Sequence, residues 1–182
     1  KQGPLGTREL NRLLQNKLNP PMKGKSEAVL MGRTLREGDK VMQVRNNYDI
    51  VWQQPDGTAG TGIFNGDMGM IEMLDNGSKT IQVRFEDKLA TYSFENQDQL
   101  EHAYAVTVHK SQGSEFEAVV MPLERRHPRL HYRNLLYTAV TRARRLLIMT
   151  GQKETVYAMV QNDRRTLRYT NQKEMLREMV EE

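Results

Sequence analysis

The spacing of apolar residues near the start of the chain predicts a helix over residues 8–19. Its leucines recur at intervals of three and four residues, which places them on one helix face: Leu10, Leu13, Leu14 and Leu18. Thr7 is expected to cap the first turn with its hydroxyl. Pro20 and Pro21 cannot continue the backbone hydrogen-bond ladder, so they end the helix. The leucine face is therefore expected to pack into a core.

From about residue 28 to residue 100 the pattern changes to short runs that alternate apolar and polar positions. Such alternation, interrupted by glycine turns, is typical of a small antiparallel barrel or sheet. The predicted strands are residues 40–44, 70–74, 80–85 and 89–94. Asp75, Asn76 and Gly77 are expected to form a hairpin turn with positive φ. Residues 53–62 are rich in Gly, Pro and Thr and are predicted to be a loop.

After residue 100 the pattern alternates between short strands and longer helices. The predicted strands are residues 104–108, 118–121 and 146–150, and the predicted helices are residues 131–145, 153–162 and 171–182. Strands that alternate with helices favour an α/β fold with a mostly parallel sheet covered by helices. The sequence therefore predicts two different kinds of structure in one chain.

Composition narrows the classes of function. Lys and Arg number 27 against 23 Asp and Glu, so the net charge is +4, which is compatible with a nucleic-acid binder. The chain has no cysteine and four scattered histidines, so no disulfide framework and no metal site are expected. The lack of cysteine favours a reducing, cytoplasmic location, and no apolar run approaches the roughly 20 residues of a membrane span. The chain begins with Lys1 instead of methionine and is expected to be a fragment of a longer protein.

The polar loop after residue 108 holds the densest group of candidate binding residues. Ligands of α/β sheets bind at the ends of strands. Four residues in and beside the loop offer donors suited to a phosphodiester backbone: Thr107, His109, Ser111 and Gln112. These groups gather around Gly113, and the Glu115 carboxylate suits a ribose hydroxyl better than a phosphate.

A second candidate lies in the predicted helix 131–145. One face, opposite the apolar residues of that helix, carries Thr138, Thr141, Arg142 and Arg145. An exposed arginine is ordinarily a solvated charge. A guanidinium held on a stiff support, however, suits bidentate contact with a phosphate.

Three residues of the predicted antiparallel region are weaker candidates for contact with nucleic acid. Asn46, Tyr48 and Asn65 could touch a strand, Tyr48 by stacking on a base. The alternative, that the asparagines and nearby glycines only form turns, is equally compatible with the sequence.

Residues 104–116 closely resemble motif V of the superfamily 1 helicases, and residues 137–144 resemble motif VI. Residues 38–42 and 65–69 are similar to the RecD/TraA branch of that superfamily. The resemblance implies an α/β, RecA-like second motor domain of the P-loop NTPase type, with a parallel sheet and an inserted SH3-like β-barrel. It places the RecA-like domain at residues 1–28 and 101–182, and the barrel at residues 29–100.

The resemblance also implies a function and roles for individual residues. The full-length protein would be an ATP-dependent DNA helicase that moves 5′ to 3′ on single-stranded DNA. Arg142 would be an arginine finger that reaches the γ-phosphate of ATP held by the N-terminal RecA-like domain of the same protein. Gly113 would lie near the nucleotide phosphates, and Glu115 would meet the ribose. Thr107, His109 and Ser111 would hold the backbone of the DNA strand.

One departure from the complete helicase pattern is that the chain contains neither a Walker A sequence nor an acidic Walker B box. Gly24, Lys25 and Ser26 resemble the end of a P-loop, but Asn19 stands where its first glycine is required. ATP and Mg²⁺ are therefore expected to be bound mainly by the N-terminal motor domain, and the isolated chain is expected to be inactive. The alternatives are a fragment of a conjugative relaxase-helicase and a non-catalytic module that binds nucleic acid or protein.

Overall fold

The computed structural model describes residues 3, 5–124 and 130–163. Two hydrophobic cores organise them, one inside a seven-stranded antiparallel sheet and one beside a pair of parallel strands. In chain order the elements are α1 (Thr7–Leu18), β1 (Glu27–Leu30), β2 (Arg33–Arg36), β3 (Lys40–Gln43), β4 (Asn47–Gln53), β5 (Ala59–Ile63), β6 (Met68–Asp75), β7 (Thr80–Phe85), β8 (Lys88–Ser93), a 3₁₀ helix (Phe94–Gln99), β9 (Leu100–His102), β10 (Phe116–Leu123), α2 (Arg133–Val140), β11 (Ala143–Gly151) and α3 (Lys153–Gln161).

The antiparallel sheet has the strand order β5-β4-β8-β7-β6-β3-β9. Every second side chain of a strand points into its core. In β7, for example, Ile81, Val83 and Phe85 are buried, and the residues between them are half-buried. The four strands predicted between residues 40 and 94 are confirmed. β1 and β2 form a separate hairpin, from which Ala28 and Leu35 join the same core.

Two expectations for this region are wrong. The predicted loop over residues 53–62 is a hairpin, because Gln53 pairs with Ala59 and only residues 54–58 form the turn. In the turn between β6 and β7, the positive φ of 55° lies at Lys79. Gly77 instead donates its backbone N–H to the Asp75 carboxylate over 2.8 Å, so the aspartate side chain closes this turn.

Helix α1 is present, but the expected burial of its leucine face is wrong. Leu13 and Leu18 are 46% and 68% exposed, whereas Asn11 and Gln15 are buried. The amides are buried because they meet hydrogen-bond partners there, Asn11 at the Ala105 carbonyl and Gln15 at the Asp39 carboxylate. The helix begins at Thr7 itself, and its N-cap, Gly6, makes no side-chain cap hydrogen bond, so the predicted Thr7 cap is also wrong.

The second core lies where α2 and α3 pack beside the parallel strands β10 and β11. It comprises Met121, Leu136, Ala139 and Met159. The parallel pairing agrees with the sequence prediction, and seven residues of β10 have partners in β11. The pair still exposes apolar side chains, with Val120 64%, Leu146 51% and Ile148 43% exposed. This part of the fold is α/β, beside the larger antiparallel sheet.

Two predictions for the second part of the chain are wrong in their details. Residues 104–108 are irregular instead of a strand, with a bend at residues 104–105 and a turn that begins at residue 108. The helix predicted over residues 131–145 ends at Val140, because Ala143 already pairs with Phe116 as the first residue of β11. The helix predicted over residues 171–182 lies outside the described residues. None of the helices that are described has the length and apolar character needed to cross a membrane.

Candidate functional site

Arg142 lies in the short turn between α2 and β11, directly beside the loop that precedes β10. Its Nη1 donates to the carbonyl oxygen of Ser114 over 3.0 Å, and its Nε donates to the carbonyl oxygen of Thr138 over 3.1 Å. The backbone N–H of Phe116 in turn donates to the Arg142 carbonyl over 2.8 Å. Arg142 is half-buried and held by both its side chain and its backbone. The sequence predicted that Arg142 lies within the helix, and this is wrong, because α2 ends at Val140. Arg142 does adjoin the loop that was predicted to be its partner.

Gly113 and Glu115 flank the carbonyl that Arg142 contacts. Gly113 is exposed and has a φ of +86°, and a Cβ added to it would meet nothing within 4 Å. The backbone is therefore open to a ligand at this point. Glu115 is exposed and accepts a hydrogen bond of 2.7 Å from Arg144 Nε, and this bond lowers the pKa of Glu115.

The loop itself is a sequence of tight turns. Ser111 donates its backbone N–H to the Thr107 carbonyl over 3.1 Å and its hydroxyl to the Val108 carbonyl over 2.9 Å. It is only 5% exposed, so its hydroxyl stabilises the turn. His109 and Gln112 are exposed on the same loop. Thr107 is half-buried, and its Oγ1 accepts from the Lys110 N–H over 3.3 Å.

A set of residues outside the predicted binding groups fixes the start of this loop. The Asn11 side chain holds both backbone groups of Ala105. Its Nδ2 donates to the Ala105 carbonyl, and its Oδ1 accepts from the Ala105 N–H, each over 2.8 Å. Lys110 Nζ donates to Glu101 Oε2 in β9 over 2.7 Å. The signal available in the sequence was the four-residue spacing of Asn11, Gln15 and Asn19, which places three amides on one helix face.

Asp39, at the start of β3, is the centre of a buried polar network that reaches the same loop. Its carboxylate has no solvent exposure. It accepts hydrogen bonds from Gln15 Nε2 (2.6 Å), Asn19 Nδ2 (2.7 Å), the Arg36 N–H (2.8 Å) and the Tyr104 hydroxyl (2.9 Å), and lies 3.2 Å from His102 Nε2.

These bonds decide how Asp39 and Tyr104 titrate. Burial alone would raise the pKa of Asp39, but hydrogen bonds from His102, Asn19 and the Arg36 backbone outweigh it and hold that pKa below its ordinary value. Burial, together with the nearby negative charge of Asp39, raises the pKa of Tyr104 to about 12. The carboxylate therefore stays charged, and the phenol stays a donor, at neutral pH.

Asn46, Tyr48 and Asn65, the three candidates on the antiparallel sheet, lie together at one exposed surface. The Asn46 side chain accepts the backbone N–H of Asn65 over 2.9 Å. Tyr48, which is 67% exposed, meets Phe64 edge to face with ring centroids 5.6 Å apart. Phe64 is 42% exposed and was missed by the sequence analysis. The surface thus offers two aromatic rings beside two amides.

The side chains that could bind a metal ion are spread over the fold. Within residues 3, 5–124 and 130–163, no three His, Cys, Asp or Glu side chains converge in a way that could hold a metal ion. The described residues therefore provide no ready-made cluster of metal ligands.

Two family models match the sequence, and they divide it as the fold does. Residues 10–85 match the ATP-dependent RecD-like DNA helicase SH3 domain, which covers α1 and most of the antiparallel sheet. Residues 102–150 match the UvrD-like helicase C-terminal domain, which covers the loop, Arg142 and the parallel strands. The first match thus ends at the last residue of β7, within the seven-stranded sheet, and the second match contains both parallel strands up to residue 150.

Relatives with curated names agree with these matches. The chain is 34% identical over 144 residues to the ATP-dependent RecD2 DNA helicase of Deinococcus radiodurans, a match that covers 79% of this chain and 18% of that protein. It is 27% identical over 156 residues to the RecBCD enzyme subunit RecD of Mycolicibacterium smegmatis, which covers 86% of this chain and 24% of that protein. The chain therefore spans less than a quarter of the length of these relatives.

Solved structures agree in fold. A Pif1 helicase from Bacteroides in complex with ADP-AlF3 and single-stranded DNA matches with a TM-score of 0.51 and 16% identity, over 97% of this chain and 44% of that one. A second structure of Bacteroides Pif1, bound to single-stranded DNA, has the same TM-score over 82% of this chain and 40% of that one. The two family models and the curated relatives together make the chain similar to the C-terminal region of the RecD-type superfamily 1 helicases, and the solved structures agree with that fold.

Proposed function

We propose that this chain is the second motor domain, with its SH3-like module, of an ATP-dependent DNA helicase that moves 5′ to 3′ along single-stranded DNA. The observation that carries the proposal is the contact between Arg142 and Ser114, which joins the arginine to the loop of Gly113 and Glu115. A helicase motor needs nucleotide-sensing and strand-holding groups on one support, and this contact supplies such a support.

On the nucleotide side, Arg142 acts as the arginine finger toward ATP bound by an N-terminal RecA-like domain of the same protein. Its three hydrogen bonds, to Thr138, Ser114 and Thr141, leave other N–H donors of the guanidinium for a phosphate. The open backbone at Gly113 approaches the phosphates. Glu115 turns from Arg144 to accept a ribose hydroxyl, and this costs little because the ion pair is exposed.

Binding of ATP and Mg²⁺ falls mainly to that N-terminal domain. Mg²⁺ held by that domain would neutralise negative charge on the phosphates. The described residues contain no metal-binding group, and the sequence has no Walker A motif. The isolated chain accordingly binds ATP poorly and does not hydrolyse it.

On the DNA side, the loop holds the strand backbone without reading its bases. His109 and Gln112 are the exposed donors. Thr107 Oγ1 accepts from a backbone N–H, so its own hydroxyl hydrogen can be donated to a phosphate. Ser111 supports the turn through its hydroxyl and completes this loop. Asn46, Tyr48 and Asn65 form a second contact on the SH3-like domain, where Tyr48 stacks on a base.

An N-terminal RecA-like partner is also supported by the surface of the parallel strands. Parallel sheets are normally covered on both faces, yet β10 and β11 expose Val120, Leu146 and Ile148. The exposed apolar surface of β10 and β11 is therefore suited to packing against further elements of a motor domain.

The test is Arg142→Ala in the full-length protein that contains this chain, with Arg145→Ala as the matched control. The Arg145 side chain is 83% exposed and lies 3.8 Å from Glu117, so its loss should leave turnover unchanged. Arg142→Ala should lower the ATP hydrolysis rate by on the order of a thousandfold, with single-stranded DNA binding retained. Hydrolysis at the wild-type rate by Arg142→Ala would overturn the proposal.

A further inference from the structure

The segment that leads into the loop, residues 104–106, is held by side chains instead of by a neighbouring strand. The Asn11 side chain makes hydrogen bonds of 2.8 Å with both the N–H and the carbonyl of Ala105. In a β-sheet, a neighbouring strand ordinarily makes these two hydrogen bonds. Asn11 is 8% exposed, and both polar atoms of its amide are engaged. Its side chain is therefore committed to fixing this backbone.

The residue before Ala105 is tied to the SH3-like domain. The Tyr104 hydroxyl donates to the buried Asp39 carboxylate over 2.9 Å. Gln15, in α1, donates to the same carboxylate over 2.6 Å. Asn19, the residue that follows α1, donates to it over 2.7 Å. One buried charge thus joins α1, the antiparallel sheet and the start of the loop.

A third attachment lies within the loop. Lys110 Nζ donates to Glu101 in β9 over 2.7 Å, and β9 is the edge strand paired with β3. The loop is consequently attached to the sheet both before and after Thr107. A displacement of the SH3-like domain relative to α1 would pull on the residues that the proposed function places on DNA.

We infer that Asn11 and Tyr104 are positioning residues, through which α1 and the SH3-like domain set the position of the loop over residues 107–115. The inference rests on the proposed function, because the loop is taken to couple the DNA strand to ATP hydrolysis. Neither side chain touches a ligand in this arrangement. Each acts by holding backbone within the small tolerance that catalysis allows, where a shift of about 1 Å can cost about a hundredfold in rate.

The experiment measures ATP hydrolysis by the full-length protein with and without single-stranded DNA. Asn11→Leu keeps the side-chain size and removes both bonds to Ala105, and Asn16→Leu, on the exposed face of the same helix, is its control. The ratio of DNA-stimulated to unstimulated kcat should fall about tenfold or more in Asn11→Leu, with the KM for ATP unchanged. Amide hydrogen exchange over residues 105–115 should become faster.

A second variant guards against a general folding defect. Tyr104→Phe deletes only the hydroxyl that reaches Asp39, and Tyr157→Phe, at a tyrosine that is 65% exposed on α3, is its control. The stimulation ratio should fall in Tyr104→Phe and stay at the wild-type value in Tyr157→Phe.

Three outcomes separate the possibilities. If the wild-type protein shows no DNA-stimulated hydrolysis, the proposed function fails and the inference fails with it. If wild type is stimulated and both variants keep its ratio and exchange rates, the inference alone is overturned. Equal loss of stimulated and unstimulated rates, with a lowered Tm, would assign these residues a purely structural role and would also overturn the inference.

Discussion

The guanidinium of Arg142 donates a hydrogen bond of 3.0 Å to the backbone carbonyl of Ser114, 28 residues earlier in the chain. A second hydrogen bond runs in the opposite direction, because the Phe116 N–H donates to the Arg142 carbonyl. Two motifs that are separated in sequence are therefore hydrogen-bonded directly to each other. A group that pulls on the arginine would also shift the loop, and a strand that grips the loop would shift the arginine.

Arg142→Lys is expected to fail as a replacement, although it keeps the positive charge. An ammonium cannot reproduce the planar fork that reaches Thr138, Ser114 and Thr141 together. The full-length variant should lose most of the roughly thousandfold contribution expected of an arginine finger. Steady-state phosphate release measures this loss, and near-normal turnover by the lysine variant would argue that only charge matters at this position.

Tyr48→Ala is expected to weaken binding of single-stranded DNA. Stacking of a base on an aromatic ring contributes about 1–3 kcal/mol, which corresponds to roughly a 5- to 150-fold change in Kd. Fluorescence anisotropy with a labelled oligonucleotide measures the change at fixed salt. Tyr157→Ala, at an equally exposed ring on α3, serves as the control.

Phe64 supports Tyr48 and allows a finer test of the same surface. Its ring meets Tyr48 edge to face at 5.6 Å, so Phe64→Ala removes a neighbour that orients the stacking ring. The loss of affinity should be the same for oligonucleotides of different sequence. A loss confined to one base sequence would contradict a contact that works by stacking alone.

The alternation of β7 could be predicted from the sequence to the residue, because Ile81, Val83 and Phe85 all face one core. Helix α1 could not be oriented in the same way. Its leucines satisfy the usual pattern for a buried face, but the buried partners are a carboxylate 24 residues from Gln15 and a backbone group 94 residues from Asn11. Local periodicity carries no information about such distant hydrogen-bond partners.

The site shows the same division between local and distant information. The motif residues predicted the loop and the arginine, and the structure brings Arg142 beside Ser114. The backbone at residues 104–108 was predicted as a strand because its β-branched residues favour one. Side-chain bonds from Asn11 and Asp39 replace strand pairing there. The sequence thus indicated the chemical groups of the site, whereas the residues that support them emerged only from the fold.

Gly69→Ala is expected to destabilise the SH3-like domain. A Cβ at Gly69 would lie 2.6 Å from the Arg84 carbonyl oxygen and 2.8 Å from Val83 Cγ1, too close for the packed sheet to accommodate without shifting. The free energy of unfolding should fall by roughly 1–3 kcal/mol. Trp52, in β4, is the chain's one tryptophan, so its fluorescence during urea unfolding reports on this sheet. Gly77→Ala, where the nearest atom would be Asp75 Oδ1 at 3.2 Å, should change stability by about 0.5 kcal/mol or less.

Asp39 is expected to make the stability of the SH3-like domain sensitive to acid. Its pKa in the folded chain lies below its ordinary value of 3.8, so the charged form is favoured by folding. The stabilisation is fully present above that ordinary value and is lost as the pH falls through the lower folded value. Asp39→Asn should remove this part of the pH dependence and also lower the free energy of unfolding at neutral pH by roughly 1–3 kcal/mol, because an amide cannot accept all the surrounding donors.

Urea unfolding of the chain between about pH 7 and pH 2, followed by Trp52 fluorescence, tests this expectation. Asp49→Asn, at an exposed aspartate of β4, is the control and should keep the acid-sensitive profile of the wild type. An Asp39→Asn profile that declines in acid as steeply as the wild type would mean that other carboxylates dominate. In that case, Asp39 and the five groups around it would not be the source of the acid sensitivity of the free energy of unfolding.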